Sequence, residues 1–186
     1  MTYLNDHTEE LDMGLALERV SPQRRELAFR YVKDSDRKLS LAVYLLLQEA
    51  VQKEYGVTGD LTFGFGPHGK PFLLDYPHIH FNLSHCPGVA LCVVSDAPVG
   101  CDVEIVPAAL DLDVCRYVFS GQEQASVLSS PAPTLAFTRL WTQKEALVKL
   151  TGEGFTGHLP SAEGVEYETV VAPSGAYVYT ICRKSL

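Results

Sequence analysis

The sequence predicts an α+β protein built as two similar lobes. Two long stretches carry apolar residues at helical spacing, near 36–55 and over 134–150, and each is kept apart from segments with β character. Between them lie three β-like runs separated by turn residues, and after the second helix comes a hairpin pattern. Helix, strands, helix, strands is the order expected of an α+β chain. No repeat at the residue level accompanies it.

The elements follow in order. Ser21-Pro22 is a helix start, with serine as N-cap and proline at the first helical position, and it opens a short helix through Tyr31. The longer helix runs from near Asp36 to Tyr55. Leu39, Val43, Leu46, Leu47, Ala50 and Val51 form its apolar stripe, and Gly56 stops it. Gly64, Gly66, Pro67 and Gly69 read as turns. Strands are expected over Ile79–Leu83, Val89–Ser95 and Val99–Val106, parted by Cys86-Pro87-Gly88 and Asp96-Ala97-Pro98. Ser120 and Glu123 have the spacing of a capping box. Pro131 and Pro133 break the chain before the second long helix, which ends at Gly152 and Gly154. The tail pairs Gly164–Val171 with Tyr177–Cys182 across Pro173-Ser174-Gly175.

Composition narrows the function. With 186 residues and 46% hydrophobic content, the chain can bury a core as one domain or two small lobes. Its net charge of −8 disfavours general nucleic-acid binding. No stretch is apolar for long enough to span a bilayer, and the acidic start does not read as a secretory signal. The cysteines, five in number and without C-x-x-C spacing, read as free or buried thiols of a cytoplasmic protein.

Several clusters could carry chemistry. In Val99-Gly100-Cys101-Asp102-Val103-Glu104, the two acids share one face of a strand and the apolar residues take the other. Paired carboxylates repel each other and favour a hard cation such as magnesium, although two solvated acids give the same pattern. Trp141, Glu145 and Lys149 are four apart and line one helical stripe; a surface ion pair beside a core tryptophan is the plainer alternative. Phe81-Asn82-Leu83-Ser84-His85 runs into a turn, which leaves a hydroxyl, an imidazole and free backbone N–H groups at a strand end. Gly69-Lys70-Pro71 presents a lysine on a turn, and Arg30, Lys33, Arg37 and Lys38 surround the start of the long helix.

Taken in order, these segments resemble the 4′-phosphopantetheinyl transferase superfamily, in its larger, monomeric, surfactin-synthetase-activating branch. The likeness extends from the first helix through Trp141–Lys149 and Gly152-Glu153-Gly154 to Phe155. It implies lobes 1–97 and 98–186 related by a pseudo-twofold, each a small sheet with a long helix, and a ligand cleft between them. It implies transfer of the 4′-phosphopantetheine group of coenzyme A to a serine of an apo acyl or peptidyl carrier protein, with magnesium required and 3′,5′-ADP released. Asp102, Glu104 and Glu145 would hold the metal. Glu145 and Lys149 would be catalytic, with Glu145 as base. Ser84, His85, Lys70, Arg37 and Lys144 would bind coenzyme A. Cys86-Pro87 and Cys101 depart from the usual residues of the motifs. A magnesium-dependent phosphohydrolase acting on a coenzyme A-like pyrophosphate, or a non-catalytic coenzyme A-binding protein, would use the same residues.

Overall fold

The strand Val89–Ser95 (β5) is apolar along almost its whole length because both of its faces are covered. Ala90, Cys92 and Val94 point to the long helix Asp34–Tyr55 (α3), whereas Val89, Leu91 and Val93 point to a second sheet. In the computed structural model, which describes residues 1–154 and 160–185, this strand is the centre of a three-stranded antiparallel sheet. Its neighbours are Thr2–Asn5 (β1) and His80–Cys86 (β4).

The second sheet repeats the scheme. Tyr177–Lys184 (β8) lies between Val99–Ile105 (β6) and Val165–Val171 (β7), all antiparallel. One face meets the first sheet through Val99, Cys101, Val103, Tyr177 and Ile181. The other carries the helix Pro133–Thr151 (α6), seated on Cys182 through Ala146, Leu147 and Leu150. The layers therefore run helix, sheet, sheet, helix, and the structure is the expected mixed α+β fold.

The long helices begin and end close to where the sequence places them. Gly56 and Gly152 close α3 and α6 in the left-handed conformation, at φ +69° and +72°, which glycine adopts without steric cost. Ser21 caps the helix Pro22–Phe29 (α2) by accepting from the Arg24 N–H. Ser120 and Glu123 form the capping box of Gly121–Leu128 (α5). All five cysteines are buried and free. No described helix is long and apolar enough to cross a membrane.

Some elements differ from expectation. Thr2–Asn5 forms the strand β1, and the Met1 ammonium just before it donates to the Val94 carbonyl at 2.6 Å. Met13–Arg19 (α1) and Leu112–Val118 (α4) are helices with aspartate N-caps, Asp12 and Asp111. The glycine-rich stretch is a hairpin of Phe63–Phe65 (β2) and Pro71–Leu73 (β3). β4 continues to Cys86, so Ser84 and His85 lie inside the strand, paired in register with Leu91 and Ala90. They are not at a strand end with free backbone donors, because the two-residue Pro87-Gly88 turn carries the ladder past them.

Candidate active site

Gly100 sets the geometry of the site. A Cβ there would lie 2.5 Å from the Leu150 nitrogen and 2.9 Å from its Cα, so α6 rests directly on the β6 backbone. That contact brings the Glu145–Lys149 side of α6 over Asp102 and Glu104, which alternate with the buried Cys101 and Val103. The expected division of β6 into an acidic and an apolar face is observed.

β6 is an edge strand of its sheet, and its outer N–H groups need partners. Two side chains of β4 supply them. Asn82 Oδ1 accepts from the Cys101 N–H at 2.8 Å, and Ser84 Oγ accepts from the Val103 N–H at 3.3 Å. Side chains thus join the sheets where no backbone ladder does.

Asp102 is buried at 3% exposure. Its Oδ1 accepts from Ser84 Oγ at 2.8 Å and from Lys149 Nζ at 2.6 Å. Its Oδ2 is buried with no hydrogen-bond partner. Burial alone would pull the Lys149 pKa down, but the charge and hydrogen bond of Asp102 hold it above the usual lysine value. Burial and then the Asp102 charge raise the Glu104 carboxyl to about 6, against the opposing pull of the Trp141 indole and Lys149. Glu145 is raised too, by burial and then by Asp102, with Lys149 opposing. Asp102, Glu104, Glu145 and Lys149 therefore form one interacting group.

The arrangement fits a hard divalent cation. It offers an orphaned carboxylate oxygen beside two acids whose pKa values are raised first by burial and then by the Asp102 charge. Among the described residues, no three acidic, histidine or cysteine side chains are grouped tightly enough to enclose an ion by themselves. A magnesium ion here would take its remaining oxygens from water and substrate phosphates, as this ion commonly does.

The other predicted residues are placed as follows. His85 is exposed and shares a 210 Å³ cavity with Arg24, Arg30, Tyr31 and Ser40. Partial burial, then Lys149, holds its pKa below the ordinary histidine value; Asp36 opposes this and Arg24 adds to it. Arg37 is elsewhere, donating to the Tyr31 carbonyl and paired with Asp34 at 2.7 Å at the start of α3. Lys70 donates to the carbonyls of Val99 (3.3 Å) and Leu150 (3.0 Å), tying the β2–β3 hairpin to both elements of the acidic site. Lys144 pairs with Glu123 at 2.8 Å and lies over the Phe119 ring, so it links α5 to α6. Trp141 stacks on Phe137. Phe155 lies outside the described residues.

Sequence reasoning missed Arg24 and Ser40. Arg24 donates to the Ser40 carbonyl and hydroxyl, packs over the Tyr44 ring, and keeps a buried Nε without a partner. Burial lowers its pKa. Nothing in the sequence separates it from the neighbouring, exposed Arg25, because both stand in the first turns of a polar helix.

Two family models match adjoining parts of the chain. The model described as 4′-phosphopantetheinyl transferase, N-terminal, covers residues 7–97, and that of the 4′-phosphopantetheinyl transferase superfamily covers 98–174. The 4′-phosphopantetheinyl transferase psf-1 of Bacillus pumilus is 34% identical over 145 residues, 76% of this chain and 62% of that protein. The 4′-phosphopantetheinyl transferase Sfp of Bacillus subtilis strain 168 is 29% identical over 145 residues, 76% of this chain and 64% of the relative. The 4′-phosphopantetheinyl transferase AcpT of Salmonella typhimurium is 38% identical over 92 residues, 47% of this chain and 48% of its own. The chain thus spans a little over three fifths of the length of the Bacillus relatives.

Proposed function

The chain belongs to the 4′-phosphopantetheinyl transferase superfamily, and from that premise we propose that it transfers 4′-phosphopantetheine from coenzyme A to a serine of an apo carrier protein. The observation that carries the proposal is the convergence of Asp102, Glu104, Glu145 and Lys149 on one surface between β6 and α6. Three acids and one ammonium suit a bound pyrophosphate only if a cation joins them. Magnesium held by Asp102, Glu104 and Glu145 would neutralise the pyrophosphate charge.

The chain's own residues then have distinct tasks. Lys149 adds positive charge beside the reacting phosphate, where fixed charge is worth most. Glu145 accepts the proton of the carrier serine hydroxyl, and its raised pKa brings it nearer the working pH, as a base requires. The serine oxygen forms its bond to the β-phosphorus of coenzyme A as the bond to the 3′,5′-ADP oxygen breaks. His85, with Arg24 and Arg30 around the same cavity, holds the non-reacting phosphate of the nucleotide. Residues 1–97 and 98–186 form the two lobes of this reading.

The deciding experiment is incubation with coenzyme A, magnesium and several apo carriers, followed by mass spectrometry of each carrier. A phosphopantetheine adduct on a carrier serine is expected. Coenzyme A cleavage without any adduct would make the protein a phosphohydrolase, and binding without turnover would make it a non-catalytic binder.

A further inference from the structure

A serine hydroxyl has one proton to donate and two lone pairs with which to accept. At Ser84 all three are in use. Its proton goes to Asp102 Oδ1 at 2.8 Å, and its lone pairs receive the Val103 N–H at 3.3 Å and Lys149 Nζ at 3.0 Å. The residue is 6% exposed. A phosphate oxygen at neutral pH needs donors, and this hydroxyl has none to spare.

We infer that Ser84 is a positioning residue for Asp102 and not a contact of the nucleotide phosphates. Two donors, Ser84 and Lys149, fasten Oδ1 from the protein side. That fixes the rotation of the carboxylate and leaves Oδ2 as the oxygen without a partner. Because Ser84 is itself held by the β6 backbone, the orientation of Asp102 is set by β4, the neighbouring sheet. Asn82, two residues earlier on the same face of β4, caps Cys101 in the same manner but touches no acid of the site. The pair separates two tasks: both side chains join the sheets, and only Ser84 also aims Asp102.

The test compares Ser84→Ala, Ser84→Thr and Asn82→Ala with the parent, each checked by a melting curve. Two affinities are measured: Mn²⁺ for the protein saturated with 3′,5′-ADP, and 3′,5′-ADP in chelator. Ser84→Ala should weaken Mn²⁺ binding about tenfold and leave 3′,5′-ADP within twofold. Ser84→Thr, which keeps the hydroxyl, should restore Mn²⁺ affinity. Asn82→Ala should lower the melting temperature and leave Mn²⁺ affinity within twofold. Loss of 3′,5′-ADP affinity in Ser84→Ala, unchanged Mn²⁺ affinity there, or an equal Mn²⁺ loss in Asn82→Ala would each overturn the inference. The Mn²⁺ measurements rest on the transferase reading. A parent that binds no Mn²⁺ refutes the metal part of that reading, and the 3′,5′-ADP comparison then decides Ser84 alone: unchanged affinity supports the inference and weakened affinity overturns it.

Discussion

Gly100→Ala should damage both the fold and the site, and the structure gives the size of the effect. The added Cβ would collide first with the Ala146 carbonyl oxygen and would also lie 2.5 Å from Leu150 N, where an ordinary contact begins at 3.4 Å, so α6 must move out by more than about 0.9 Å. The atoms in the way belong to the backbone, and no side chain can rotate aside to relieve them. Overpacking of this kind costs roughly 1–3 kcal/mol. For a chain of this size that corresponds to a fall of about 2–12 °C in Tm. The functional loss should be larger. The 2.6 Å bond from Lys149 to Asp102 spans the interface that opens, and a misplacement of about 1 Å can cost on the order of 10²-fold in rate. The assay is a melting curve beside carrier-modification rates at saturating coenzyme A. A variant with parent-like Tm and turnover would show that α6 does not depend on a bare backbone at residue 100.

Other perturbations separate the charged residues. Glu104, held near pKa 6 against about 4.5 when unfolded, favours its protonated form in the fold. It therefore lowers stability by up to about 2 kcal/mol above pH 6, a penalty that disappears as pH falls below about 4.5. For the same reason Mn²⁺ affinity should rise as pH increases through about 6, and a flat profile from pH 5 to 7 would contradict the placement of Glu104. Glu145→Gln keeps an oxygen but not the basicity, so single-turnover rates should fall at least about 10²-fold while coenzyme A still binds, the usual scale for general-base loss; a parent-like rate would leave Glu145 no role as base. Lys149→Met leaves Asp102 buried and uncompensated, which should cost about 3–5 kcal/mol, and a second change, Asp102→Asn, should recover part of it in a denaturation curve. His85→Ala should raise KM for coenzyme A with little change in kcat and reduce discrimination against 3′-dephospho-coenzyme A; undiminished discrimination would remove His85 from the phosphate site.

What the sequence made legible divides along physical lines. The long helices α3 and α6 were readable because many apolar positions agree with one period and a glycine closes each of them. α1 and α4 were missed because a seven-residue helix offers only about two turns of pattern. β1 was missed because a four-residue edge strand gains its stability from the neighbouring β5 ladder, which local sequence does not encode. Within the site, the alternation of β6 and the four-residue spacing on α6 located Asp102, Glu104, Glu145 and Lys149 correctly on their elements. Which residues meet across elements was less legible. Arg24 reaches Ser40 and the cavity of His85 through tertiary packing, whereas Arg37 turns to Asp34 and Tyr31 nearby.

Asn82 and Ser84 show where a signal was present and its meaning was not. Two polar residues two apart on one face of a strand must be satisfied when buried, and their partners lie on another element. The structure supplies those partners at β6, the strand that carries the acids. The consequence reaches beyond strand pairing. Asp102 stands on β6, its ammonium partner on α6, and its serine donor on β4, so three elements from both halves of the chain fix one carboxylate. A buried ion pair adds little net stability once desolvation of both charges is counted. Its cost is rational if the orientation of Asp102 is what the three elements secure, with Oδ2 left as the unbonded oxygen. The polar seam between the sheets and the acidic surface are then one construction, since the side chain that joins the halves also aims the acid.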